Sequence, residues 1–358
     1  MDRRYVNKLL RQASQDPERL VKQKKFWKLE LWPRYLRRCD DLLYSDPRAG
    51  LALTKPAPIL AARIDENASG ASGADLMILA YSYLGGAYRR NDDIENAEGM
   101  FRKAQRYKES ASPKALAEHL RRLAYLQMVQ RRPEAFSLIG DAIAINKRGN
   151  LVDRHALGEC LLCRGHAYYE FGQPGKSLED LSAALNHISP KVDLKPYYCA
   201  LHNLAGWAVD HGSDEELNTA LGNLRPALLI LNTLWGRPYA KLKLRWLIAV
   251  VEVRLGDLER AEAVFLEVRD GLLAMELGYE VGMLSIDLGL LYLAQGRDAE
   301  AQALAHETAA IFRRLKVEAR VQEALEAWSR AEHLTEGLLR RVRGTFASNA
   351  EPIPSVAA

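Results

Sequence analysis

Two short motifs have the residue types that bind or react. Gly172-Gln-Pro-Gly175-Lys176-Ser177 ends like a loop that cradles nucleotide phosphates, and Cys160 and Cys163 stand at C-x-x-C spacing. A phosphate loop needs a further glycine five residues before Gly175 and a strand leading into it. Glu170 holds that place and Leu161–Phe171 reads as helix, so we expect a turn between helices and reject nucleotide binding. A structural zinc site needs a second close ligand pair, which the distant Cys39 and Cys199 do not supply, and a redox pair wants a βαβ setting. At helical spacing the two thiols share a face and read as core. The eight histidines are scattered, and His306-Glu307 lacks the second histidine of H-E-x-x-H. No nucleophile elbow or kinase signature is present. The expectation is a protein without catalysis, metal or cofactor.

A basic, aromatic amino terminus is the next candidate. Residues 1–40 hold twelve Lys/Arg against five Asp/Glu, a local +7; the whole chain carries +4, so the remainder carries −3. Lys22, Lys24, Lys25, Lys28, Arg34, Arg37 and Arg38 surround Phe26, Trp27, Trp32 and Tyr35. Two readings stand. The module binds an anionic partner, nucleic acid or an acidic protein face, or it caps the rest of the chain, aromatics packed and charges solvated. Capping is favoured, because no recognised DNA-binding helix pattern is present.

The elements that position these groups read as helix throughout. Of 358 residues only 14 are proline, 48% are apolar and 27% charged, which suits a water-soluble chain. No apolar stretch is long enough to span a membrane and no apolar segment follows Met1-Asp2-Arg3-Arg4, so a cytoplasmic protein with reduced thiols is expected. Residues 1–66 form a helical module. In it Asp16-Pro17 and Asp46-Pro47 open helices, Pro33 interrupts the helix carrying Leu20 to Trp32, and one helix runs from Pro47 toward Ile64. Residues 67–74, rich in Gly, Ala and Ser, form a linker. Residues 75–335 form an array ending in a capping helix, and 336–358 a helix end and a disordered tail.

The array shows a recurring pattern. Tyr81, Leu84, Gly85, Tyr88, Ala97, Phe101 and Ala104 place large residues on one face of a first helix. They also set small residues where a second, antiparallel helix approaches. Corresponding segments start near Ile78, Leu116, Gly158, Cys199, Leu242 and Gly282, about 38–43 residues apart. Gly165 and Tyr168 recur in the third, Gly206 in the fourth, and Gly289, Tyr292 and Ala301 in the sixth. The fourth loses register around Gly222 and Pro226. This spacing resembles the tetratricopeptide repeat. Runs such as VRLGDLERAEAVF and LSIDLGLLYLAQGRDAEA look like the superhelical sensor regions of bacterial transcription regulators.

The resemblance implies an all-α, right-handed superhelical solenoid of about six antiparallel helix pairs, whose first helices line a concave groove. It also implies which positions face the groove. They are Ser82 and Arg89; Leu120 and Gln127; Glu159, Leu162, His166 and Tyr169; Asn203, Trp207 and Asp210; Lys243, Trp246 and Val250; and Met283, Ile286 and Leu290. Ser82 and Gly86 depart from the pattern that grips chaperone tails. Tyr169, Trp207 and Trp246 beside His166 and Asn203 have the character of binding hot spots, although helical spacing equally permits both tryptophans to be core. The expected function is a protein- or peptide-binding scaffold in bacterial regulation, provided that the amino-terminal module does not plug the groove. Nucleic-acid binding through that module, and small-molecule sensing near His166, Tyr169 and Asn203, are the alternatives.

Overall fold

The computed structural model describes residues 3–67, 72–148, 153–235 and 238–317. The expected closing helix beyond residue 317, the tail and residues 68–71 of the Gly/Ala/Ser linker lie outside them. Among the described residues the structure is helical, without strands.

The amino-terminal module comprises α1 (Arg3–Gln15), α2 (Arg19–Lys22), α3 (Trp32–Leu43), α4 (Pro47–Thr54) and α5 (Ala57–Asn67). Six pairs follow. They are α6 (Gly73–Arg90) with α7 (Ile94–Gln105), α8 (Pro113–Val129) with α9 (Glu134–Lys147), and α10 (Arg154–Glu170) with α11 (Pro174–His187). Then come α12 (Leu194–His211) with α13 (Asp214–Trp235), α14 (Pro238–Leu255) with α15 (Leu258–Ala274), and α16 (Gly278–Ala294) with α17 (Asp298–Arg314). First helices of 17 or 18 residues account for the long repeat.

Local sequence sets the helix boundaries. Ser72, Ser112, Asp153 and Asp193 each accept a backbone N–H in the first turn of α6, α8, α10 and α12, satisfying donors a helix start leaves open. After the first helix, the chain turns on a left-handed residue: Gly172, Gly256 and Gly296 in three pairs, Asp92 and Arg131 in two others. The Gly172–Ser177 segment is such a turn. Lys176 donates to Gln173 at 2.9 Å, and Ser177 is buried.

Two expectations about the module are corrected. The helix expected through Leu20–Trp32 is one turn of α2 followed by two 3-10 turns, Lys24–Phe26 and Leu29–Leu31. Pro33 opens α3 instead of interrupting a helix, because in a first turn its missing N–H leaves no bond unmade. The helix from Pro47 breaks before Pro56 and restarts as α5.

The chain divides into two compact units. The first runs through Lys241 and takes in Ala274–Leu277 and Leu315–Val317; the second holds Leu242–Leu273 and Gly278–Arg314. In the first, Leu9, Leu20, Phe26, Trp32, Tyr35, Leu60 and Ile64 form one core with Leu76 and Ala80 of α6. Burying each such side chain is worth about 1.5–3 kcal/mol, so the module and the first pair are held together by apolar packing. A second core joins α8 to α12 and contains Cys160 and Cys163. In the second unit Phe312 of α17 packs against Tyr279, Met283 and Ile286 of α16.

Close approach within pairs uses small residues. A Cβ on Gly85 would come within 2.8 Å of Phe101, and one on Gly165 within 2.9 Å of Leu181. Phe101 itself lies between Gly85 and His119 of the next pair. Ala97 and Ala301 are buried, Tyr81 stacks on Tyr107, and Tyr168 packs on Phe136. Tyr88 is half-buried, as is Tyr292, whose ring lies under the Arg297 guanidinium; Gly289 is buried. Gly206 departs from the pattern. A Cβ there would meet nothing within 4 Å, so the close approach expected at that position does not occur. The fourth pair has a longer second helix, 22 residues in α13, and follows a different register.

Candidate partner-binding face

Side-chain pairs between successive first helices run along the array. In the first unit, the Arg89 guanidinium of α6 lies over the Tyr125 ring of α8 at 5.5 Å. Arg121 of α8 lies 3.6 Å from Glu159 of α10, and Tyr169 of α10 donates to Asp210 of α12. The second unit carries the same device. Lys243 of α14 bonds Glu280 of α16 at 2.9 Å and stands 4.0 Å from the centroid of the Trp246 ring, while Trp246 Nε1 donates to Asp287 at 2.6 Å. Each pair spans one repeat, so within each unit a polar seam runs along the first helices.

Most groove candidates fall on or beside this seam. Arg89, Gln127, Glu159, His166, Tyr169, Asn203, Lys243 and Trp246 are all half-buried. His166 keeps 34% of its side chain exposed, with Nε2 3.9 Å from Glu170, whose other oxygen is 3.8 Å from Arg131. Three expected positions turn inward. Ser82 is fully buried, donating to the Ile78 carbonyl at 2.6 Å and lying 2.8 Å from His119 Nδ1. Since the serine proton goes to Ile78, His119 supplies the other proton as the neutral Nδ1–H form, and burial lowers its pKa to about 4. Leu162 lies in the second core. Trp207, 8% exposed, donates to the Pro174 carbonyl of the preceding pair at 2.9 Å. Trp207 is therefore inter-repeat packing, whereas Trp246 retains exposure. In all three, the side chain finds its partner on its own or the adjoining pair.

The amino-terminal module also reaches the first helices. Arg122 of α8 grips Asp40 of α3 with two bonds, 3.1 and 2.6 Å, donates from its Nε to Glu118 at 2.6 Å, and lies 3.4 Å over the Tyr83 ring. Burial raises the Asp40 carboxyl, but the charges of Arg122 and Lys195 outweigh it and hold the group at about 2. Cys199 Sγ of α12 contacts the Tyr44 hydroxyl at 3.5 Å. The module thus covers the Arg122 and Cys199 side of the first helices and leaves Glu159, His166, Tyr169 and Asn203 partly exposed. Sequence reasoning missed Asp40, Arg121 and Arg122. The Glu118-x-x-Arg121-Arg122 spacing is a helix-face ion-pair signal, but the Asp40 partner lies 82 residues away.

The basic side chains of the module divide. Lys24, Lys28, Arg34 and Arg37 are exposed, while Lys25 lies 5.2 Å from the Phe26 centroid and Arg38 donates to Ser14. Among the described residues no group of three or more His, Cys, Asp or Glu is placed to hold a metal ion. No described helix is long and apolar enough to cross a membrane. Burial raises the Cys160 and Cys163 thiols to about 12, which makes them poor nucleophiles.

Comparison with known proteins bears on the fold. Residues 286–315, within α16 and α17, match the tetratricopeptide repeat family model. No curated protein matches the chain. The crystal structure of a Rap protein complexed with Competence and Sporulation Factor superposes with a TM-score of 0.57 at 13% identity, over 89% of this chain and 98% of that one. The Rap conjugation gene regulator of the plasmid pLS20, in complex with the Phr* peptide, gives a TM-score of 0.47 at 16% identity, over 93% and 98%. Residues 286–315 are thus a tetratricopeptide repeat by sequence, and the helix pairs around them share the fold of the Rap protein.

Proposed function

We propose that this protein is a non-catalytic scaffold that binds a peptide or protein segment along its first helices, in bacterial regulation. The observation that carries the reading is the seam. It presents half-exposed aromatic and polar side chains, Tyr169 with His166 and Asn203 in one unit and Trp246 in the other, held in fixed orientation by partners on the next helix. Preorganised aromatic groups with a polar tip lose little entropy on contact and suit recognition of an extended or helical segment. A Rap protein of the same fold is crystallised with a bound factor, which supports placing a partner on this type of array.

Because the module lies against Arg122 and Cys199, the partner in the first unit is received at α10 and α12. The residues assigned to it are Glu159, His166, Tyr169 and Asn203, with Arg89 and Gln127 on the same unit's seam; Lys243 and Trp246 are the corresponding residues of the second unit, and Trp207 is left out. The test uses Tyr169→Ala and Trp246→Ala in affinity capture from the native host, with cross-linking to map the contact. Loss of the partner by a variant of unchanged helix content supports the assignment. Full recovery by both variants refutes it.

A further inference from the structure

We propose that the exposed edge of α3 and the turns before it form an electrostatic docking face for the phosphate backbone of duplex nucleic acid. This goes beyond the scaffold reading and does not depend on it. The first observation is that charge and core separate cleanly on α3. Trp32, Tyr35, Leu36, Cys39 and Leu43 are buried, whereas Arg34 and Arg37 project from the opposite side and are exposed. Lys24 and Lys28 are exposed on the preceding turns, and Lys8 and Arg11 on α1, which Arg38 ties to α3 through Ser14.

The second observation is that, among the described residues, no carboxylate forms an ion pair with these six cations. Elsewhere, Arg121, Arg122, Arg131, Arg164, Lys243, Arg245, Arg260, Arg269 and Arg297 each lie in an ion pair. Within the module, Asp16 and Glu18 are taken by Arg19 and Lys22, and Asp40 by Arg122. Six cations are therefore presented outward, with Glu30 the exposed carboxylate on the turn before α3.

The chemistry of the face selects among polyanions. Phe26, Trp32 and Tyr35 are buried, and Trp27 Nε1 is bonded to the Leu20 carbonyl with Arg63 over its ring. Among the described residues of the face no aromatic platform is left for unstacked bases, which single-strand binding uses. Leu29 alone is an exposed large apolar residue between Lys24 and Arg38, too little to insert into a bilayer or to anchor a protein interface. What the face offers is cationic charge, and a double-stranded backbone, with one charge per roughly 1.7 Å of axis, is the partner that charge alone can hold. Binding would be independent of base sequence.

The experiment is fluorescence anisotropy of the full chain with a labelled duplex of about 25 base pairs, titrated from about 50 to 300 mM salt. We expect binding at the low end, with log K falling against log salt at a slope of about −3.5 to −5.5, as four to six phosphate contacts require. The Arg34→Glu/Arg37→Glu double variant should bind at least about tenfold more weakly at the same salt, because two of those contacts become repulsive. The reversal Lys108→Glu, on an exposed turn outside the module, should change nothing. If the double reversal lowers helix content, Arg34→Gln/Arg37→Gln serves instead, with the slope reduced by about 2. Absence of duplex binding at low salt, a slope near zero, or an unaffected double variant would overturn the proposal. So would tighter binding to single-stranded DNA, anionic vesicles or polyglutamate than to the duplex.

Discussion

Replacing Arg122 with Met removes the charge that docks the amino-terminal module on α8, and the cost can be worked from the geometry. Arg122 and Asp40 share two hydrogen bonds, and their side chains are 11% and 23% exposed. Unit charges about 4 Å apart attract by about 4 kcal/mol at an effective dielectric of 20, and desolvation offsets part of that. Linkage gives an independent value. The Asp40 carboxyl stands at about 2 in the folded protein against an ordinary 3.8, and that difference is worth about 2.5 kcal/mol. A carboxyl with a depressed folded pKa stabilises above its unfolded value, so this contribution is complete above about pH 4 and is lost as pH falls through about 2. Arg122→Met leaves Asp40 and Glu118 with one cation fewer and should cost about 3 kcal/mol at pH 7. Asp40→Asn, which leaves Arg122 its Glu118 bond, should cost about 2 kcal/mol. Urea unfolding of both single variants and the double variant, followed by far-UV circular dichroism, closes the cycle. The double variant should lie close to Arg122→Met, a coupling of about 2 kcal/mol. Additivity within about 0.5 kcal/mol would show that the pair carries no net interaction and refute the reasoning.

Other perturbations test other links. Gly85→Ala forces a Cβ to 2.8 Å from Phe101 and should lower stability by about 1–3 kcal/mol, whereas Gly206→Ala meets nothing within 4 Å and should raise it by up to about 1 kcal/mol; thermal melts that move the same way would contradict the packing at both sites. His119 should titrate near pH 4 by NMR. Because the unfolded histidine takes its proton near 6.5, stability should fall by about 3 kcal/mol as pH drops from 6.5 to 4, and His119→Gln should remove most of that dependence. Cys160 and Cys163 should resist a thiol reagent at pH 8 in the folded protein and react in urea; rapid labelling of the native chain would contradict their burial.

The helix pairs were legible because each is written in local terms. Small residues at Gly85, Ala97 and Gly165 and the glycine turns at 172, 256 and 296 all act within one repeat, so spacing exposes them. The turns at Asp92 and Arg131 adopt the same left-handed geometry without glycine and left no such mark. Trp207 shows the limit on the site. Its position along α12 is compatible with groove or core, and a carbonyl 33 residues away in sequence decides. The contacts of Asp40 and Tyr44 were hidden for the same reason, with partners 82 and 155 residues distant. Local spacing carries no information about which distant face will meet a helix.

That distinction bears on how the two candidate surfaces differ. Along the seam, charge is already compensated within the protein: Arg121 lies against Glu118 and Glu159, Lys243 against Glu280, and Tyr169 against Asp210. A partner lying there gains little Coulomb attraction, and breaking an internal pair to reach one of those charges would leave its mate unpaired in a half-buried place. Affinity at the seam must come from apolar and aromatic contact, which salt screens weakly. The α3 edge is the opposite case, with exposed cations, aromatics consumed by the core, and attraction that falls steeply with salt. A partner of the first kind would survive a high-salt wash that removes one of the second. The same ion pairs that fix the repeats in register therefore make the two surfaces respond to different chemistry.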